Sequence, residues 1–228
     1  MVKIFLDGAD AILENRNNPE IAGFTTNPTL MKKAGITDYE AFAKKILFFV
    51  KEKPVAFEVL SDDFEEMYRQ ALIIGSWGKN VNVKIPITNT KGESSILLIS
   101  ELIKEGVNIN VTAITMFSQI VLLMPMLSDA KHGYISVFAG RIADTGVDPM
   151  PVMKKIVYFL KECPNIEFIW ASAREIFNVR QAESCECNII TLSSELYKKY
   201  PLFRISLNEM SLNTVKMFYN DGKSFCIR

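Results

Sequence analysis

Histidine is almost missing from this 228-residue chain: there is one, His132. That scarcity excludes His-rich metal sites, and a Ser–His–Asp site would have to use this residue. Its setting, "AKHGY", predicts a surface loop. Net charge is also absent, with 26 basic against 26 acidic residues. No electrostatic case exists for nucleic acid or an anionic membrane surface as a partner. No apolar run approaches the roughly 18 residues of a membrane-spanning helix. The N-terminal "MVKIFLDGAD" lacks the apolar core and cleavage site of a signal peptide. Four cysteines, Cys163, Cys185, Cys187 and Cys226, are too sparse and badly spaced for a zinc site. They read as reduced thiols, which fits the cytoplasm. No Gly-rich phosphate loop of the dinucleotide or P-loop kind follows any strand candidate. Whatever chemistry the chain performs must use lysine, carboxylates, hydroxyls and arginine.

What is present is a large apolar fraction, 49% with 15 Phe and 10 Met, enough to bury a sizeable core. Short β-branched runs alternate with helical spacing. Strand candidates are "KIFLD" (3–7), "GFTT" (23–26), "VAFEVL" (55–60), "NVKIP" (82–86), "NINVT" (108–112), "YISVF" (134–138), "FIWAS" (168–172) and "NIITL" (188–192). Between them, Phe42, Ile46 and Phe49 mark a helix over 39–51, and Ser61 reads as the cap of another over 62–75. Eight strand–helix units predict a parallel sheet, and most simply a single (β/α)8 barrel domain spanning 1–228; an open doubly wound sheet is the rival. A final helix over 207–220 lies beyond the eighth unit, placed to close the barrel or to pack on a neighbouring subunit.

Active sites of such barrels sit at the C-terminal strand ends. There the chain places Asp7, Thr26 and Asn27, Glu58, Lys84, Asn110 and Thr112, Ser136 with Arg141 beyond it, and Ser172 with Arg174. Singly, each has an ordinary explanation. Asp and Ser cap helices, Asn27 before Pro28 can start a turn, Arg141 and Asp144 can pair on the surface, and Lys84 can snorkel from the mouth. Seven consecutive polar strand ends are harder to explain as caps alone. Lys84 stands among Val81, Val83, Ile85 and Ile87, and a lysine desolvated by such neighbours is pushed toward the neutral amine that attacks carbonyls. A Schiff base is an electron sink, so a carbon–carbon bond β to it can break or form. Asp7 or Glu58 can move the hydroxyl proton. Asn27, Asn110 and Ser136 suit sugar hydroxyls. Arg141 with Ser136, and Arg174 with Ser172, suit a phosphate. The inferred substrate is a phosphorylated sugar.

These residues resemble the transaldolase family, particularly its short, fructose-6-phosphate aldolase-like members. The likeness runs from "IFLDGAD" to about Leu196 through "GFTTNPTL", "VKIPIT", "NVTAITMFS", "SVFAGRI" and "WASAR". The resemblance implies Lys84 as Schiff-base nucleophile, Asp7 as general acid/base, and Glu58 with Thr112 as holders of a proton-shuttling water. It implies Asn27, Asn110 and Ser136 at the dihydroxyacetone unit, with Thr26 and Phe138 lining the site. Arg141, Ser172 and Arg174 would hold phosphate. It further implies a metal-independent class I enzyme of pentose phosphate-type metabolism that needs no cofactor. It also implies a ring-shaped homo-oligomer, often a decamer, with the C-terminal helix reaching a neighbour. Glu58 and Phe138 match transaldolases, where the aldolases resemble Gln and Tyr, so the resemblance implies transfer over release of free dihydroxyacetone. Gly8 in place of the usual Thr, Val137 in place of Pro, and a divergent eighth unit depart from the pattern.

Overall fold

A computed structural model describes residues 1–225, and in it eight parallel strands close into a barrel in sequence order. They are β1 Lys3–Asp7, β2 Ile21–Thr25, β3 Val55–Glu58, β4 Val81–Pro86, β5 Ile109–Ile114, β6 Gly133–Val137, β7 Ile166–Trp170 and β8 Ile189–Ser193. β8 pairs with β1 over five residues, which excludes the open sheet. The helices are α1 Ala9–Asn15, α2 Pro28–Lys33, α3 Tyr39–Phe49, α4 Phe64–Ser76, α5 Ile96–Lys104, α6 Phe117–Leu127, α7 Ala139–Asp144, α8 Pro149–Leu160, α9 Asn178–Ser184, α10 Ser194–Tyr197 and α11 Leu207–Gly222. None is long and apolar enough to cross a membrane among the described residues.

Strand alternation builds two cores. One face of each strand, with Phe57, Val83, Ile85, Val111, Ile135 and Phe168, packs outward on helix residues such as Ile46, Met67, Ile74, Leu102 and Met153. A smaller cluster of Phe5, Tyr134, Ile169, Ala171 and Ile189 plugs the barrel. Gly23 makes that plug possible, because a Cβ there would lie 2.5 Å from the Phe5 ring.

Several boundaries differ from expectation for local reasons. The α4 cap is Asp63, whose carboxylate accepts from Glu66 N at 3.0 Å, and not Ser61, whose hydroxyl accepts from Asp63 N at 3.1 Å. A charged acceptor three residues before the helical N–H outcompetes the hydroxyl. Asn27 starts the helix α2 and no mere turn, with Pro28 at its first position. β7 stops two residues early because Ser172 is left-handed, at φ 62°. α3 ends at Phe49, short of Lys51. His132 lies just before β6, half-buried edge-on against Tyr134, with ring centroids 4.9 Å apart. That is the barrel end opposite Lys84. Cys163, Cys185 and Cys187 are buried free thiols; Cys226 lies outside the described residues.

Candidate active site

Lys84 occupies the inner face of β4. Its Nζ donates to the Thr26 carbonyl at 2.8 Å and stands 3.1 Å from Glu58 Oε2, with the two side chains 8% and 18% exposed. The aliphatic neighbours do not surround the amine as the sequence suggested. The two-residue period sends Val83 and Ile85 to the other face, where Val83 approaches α4 at Gly75. Lys84 is taken out of water by the barrel wall, and a carboxylate and a carbonyl meet its charge.

Asp7 is the second carboxylate at this end. Thr25 Oγ1 donates to its Oδ1 at 3.0 Å and Asn27 Nδ2 to its Oδ2 at 2.9 Å. The Asn27 amide cannot turn over freely, since its Oδ1 accepts from Leu30 N at the start of α2. Burial holds the Asp7 carboxyl above the usual range, while Lys84 and the two hydrogen bonds pull it down. The chain then turns into α1 through Gly8 at φ 110°, a conformation that a threonine there would adopt only under strain. This accounts for the departure at that position.

On the next strand, Asn110 is the Cα partner of Lys84, and its Oδ1 accepts from Ser136 Oγ at 2.7 Å. Asn110 Nδ2 and Thr112 Oγ1 are buried with no partner among the described residues, so a donor and a hydroxyl remain open for a ligand. After Thr112 the ladder is interrupted at Ala113, φ 61°, the kind of bulge that aims side chains near sites. Phe138 packs on the apolar plug just below.

The arginines lie on the exposed rim. Gly140, at the start of α7, and Ser172, after β7, approach backbone to backbone: a Cβ on Gly140 would fall 1.7 Å from Ser172 O. This contact brings the Arg141 and Arg174 segments together. Asp144 pairs with Arg174, not with its helix neighbour Arg141: Arg174 Nε donates to Asp144 Oδ1 at 3.1 Å and a second bond joins Nη2 to Oδ2. The guanidinium holds the Asp144 carboxyl below its usual range.

The structure thus joins Asp7, Asn27, Thr26, Glu58 and Lys84 through hydrogen bonds and the ion pair, sets Asn110, Thr112 and Ser136 beside them, and leaves Arg141, Ser172 and Arg174 at the rim. Thr25, Tyr39, Gly140 and Asp144 were missed. Thr25 was legible, because it shares strand parity with Gly23, and the register that sets Gly23 on Phe5 sets Thr25 beside Asp7; the other three depend on contacts distant in sequence. Among the described residues no group of three or more His, Cys, Asp or Glu side chains is placed to hold a metal. An amine beside one carboxylate, with a second of raised affinity for protons, is equipped for carbonyl addition and proton transfer.

Comparison with known proteins identifies the family. A probable transaldolase of Dehalococcoides mccartyi is 33% identical over 226 residues, covering 98% of this chain and 99% of that protein. A probable transaldolase 2 of Listeria monocytogenes is 34% identical over 202 residues, 87% and 88% of the two chains. In fold alone, the barrel is similar to a 3-hexulose-6-phosphate synthase from Salmonella typhimurium, with TM-score 0.59, 14% identity and coverage of 85% and 89%. The profile of the transaldolase/fructose-6-phosphate aldolase family matches residues 4–224, and the chain belongs to that family.

Proposed function

We propose that the protein is a class I, metal-independent transaldolase. It moves a dihydroxyacetone unit from a ketose phosphate, such as fructose 6-phosphate or sedoheptulose 7-phosphate, to an aldose phosphate. The observation that carries this is a barrel-enclosed lysine amine between the Thr26 carbonyl and Glu58, at the same barrel end as Asp7. Lys84, as the free amine, adds to the ketose carbonyl, and loss of water leaves an iminium. Glu58 and the open hydroxyl of Thr112 hold the water that carries protons in that exchange. Asp7 accepts the proton of the hydroxyl on the departing carbon as the carbon–carbon bond breaks, and returns it to the acceptor aldehyde's oxygen in the reverse step.

Asn27, Asn110 and Ser136 hold the dihydroxyacetone hydroxyls, with Thr26 and Phe138 shaping the pocket. Arg141, Ser172 and Arg174 take the phosphate. Charge around the mouth favours that orientation. The segments after β3 and β4 place Asp62, Asp63, Glu65 and Glu93, against the one cation Lys91, around a concavity of about 320 Å³ whose net negative charge disfavours a phosphate, whereas Arg141 in α7 and Arg174 after β7 sit across the mouth. Exposed apolar residues on α11 support a homo-oligomer in which this helix meets a neighbour. Free buried thiols are compatible with a reducing, cytoplasmic setting.

The test is to incubate the protein with fructose 6-phosphate, reduce with borohydride and map the modified peptide. An adduct on Lys84 is expected; no adduct, or one on another lysine, sinks the mechanism. The family also includes aldolases that release free dihydroxyacetone. Turnover without erythrose 4-phosphate as acceptor would favour that activity, and binding without turnover would favour a non-catalytic sugar-phosphate-binding barrel. Full activity in chelator is expected.

A further inference from the structure

The ladder between β2 and β3 ends unusually. Ala56 O accepts from Thr26 N at 3.0 Å, so the next parallel bond would run from Glu58 N to the Thr26 carbonyl. It does not form. Glu58 N instead donates to the Tyr39 hydroxyl at 2.8 Å, and the Thr26 carbonyl accepts from Lys84 Nζ at 2.8 Å. Tyr39 stands at the first position of α3, outside the barrel wall. Its ring is fixed edge-on by Phe57 and Trp77, at centroid distances of 6.1 and 5.8 Å. The Thr26 hydroxyl is occupied separately, donating to Ala56 O at 2.9 Å.

We propose that Tyr39 is a positioning residue for the amine of Lys84. Its hydroxyl takes the Glu58 N–H that would otherwise claim the Thr26 carbonyl, and thereby leaves that carbonyl to Lys84. The same bond pins the end of β3, so the Glu58 carboxylate stays beside the amine. The hydrogen bond of Tyr39 goes to Glu58 N and not to the amine, so it acts through Glu58 and Thr26. The inference rests on the transaldolase mechanism above for its catalytic meaning, though the exchange of hydrogen-bond partners stands apart from it.

Tyr39→Phe keeps the ring and removes the hydroxyl. The freed Glu58 N–H then competes with Lys84 for the Thr26 carbonyl. Reductive methylation with formaldehyde and cyanoborohydride, read at Lys84 by peptide mass spectrometry, should run several-fold faster than in the parent protein. Turnover of fructose 6-phosphate with erythrose 4-phosphate should lose about tenfold in kcat, as for one hydrogen bond to a charged group, with KM within about twofold. Trp77→Phe loosens the same aromatic packing but keeps the hydroxyl, and should retain the parent methylation rate. An unchanged Lys84 methylation rate in Tyr39→Phe, or an equal change in Trp77→Phe, overturns the proposal. Methylation needs no sugar, so it decides the point even if the borohydride adduct with fructose 6-phosphate fails to appear. That failure would count against the mechanism alone.

Discussion

Lys84 and Glu58 are Cα partners on adjacent strands, and their charged ends meet 3.1 Å apart inside the barrel. Replacing Glu58 by Gln leaves the amine with the Thr26 carbonyl and removes the acid that can take and return a proton. Transfer from fructose 6-phosphate to erythrose 4-phosphate should fall roughly 100-fold, in the range of general acid–base effects. The share of free dihydroxyacetone should rise, and more so with Phe138→Tyr added. An unchanged product ratio in the double variant would refute this.

Lys84→Met isolates a buried carboxylate, and should cost about 3–5 kcal/mol of stability, as for a broken buried ion pair. Denaturant melts at pH 7 measure it. Lys84→Arg keeps the charge without a nucleophilic amine. It should fold near the parent stability and give no borohydride adduct.

Asp7 has its carboxyl raised by burial, so folding favours its protonated form. That contribution is fully present below the ordinary carboxylate pKa of about 4 and is lost as pH rises through the higher folded-state value. Asp7→Asn should therefore gain stability relative to the parent as pH rises above about 4, while turnover drops about 100- to 10,000-fold. Thermal melts across that range check the first part; a gap that shrinks with rising pH contradicts it.

Asp144 holds Arg174 in a bidentate pair that occupies the guanidinium edge, so under the proposed phosphate role it would compete with substrate. Asp144→Asn should lower KM for phosphorylated acceptors a few-fold and leave that for unphosphorylated glyceraldehyde unchanged. Arg174→Ala should raise the former roughly 10- to 100-fold. Equal effects on both acceptors would remove the arginine from the phosphate site.

On α11, Leu207, Val215 and Phe218 are 89%, 60% and 64% exposed. If this face meets a neighbouring copy as proposed, Val215→Lys with Phe218→Lys should lower the sedimenting mass to that of a monomer while the Lys84 adduct still forms. A parent protein that sediments as a monomer would dismiss the neighbour contact.

Much of this protein was legible in its residues. Eight β-branched runs separated by helical spacing determined a parallel sheet, since a parallel strand can bury both faces only under crossover helices, but closure into a barrel was decided by the pairing of β8 with β1. The polar residues at the strand ends then pointed to one end of it as the candidate site, and the fold gathers Asp7, Glu58, Lys84 and Asn110 there. What surrounds Lys84 was another matter. Sequence proximity put valines and isoleucines around it, but strand parity turns them outward, and only closure of the barrel brings Glu58 and the Thr26 carbonyl to the amine. The same holds for Tyr39 at Glu58, Gly140 against Ser172, and Asp144 on Arg174. Local propensity sets the period of each element; which groups meet across them depends on register and on the distance between elements, and those exist only in the folded chain.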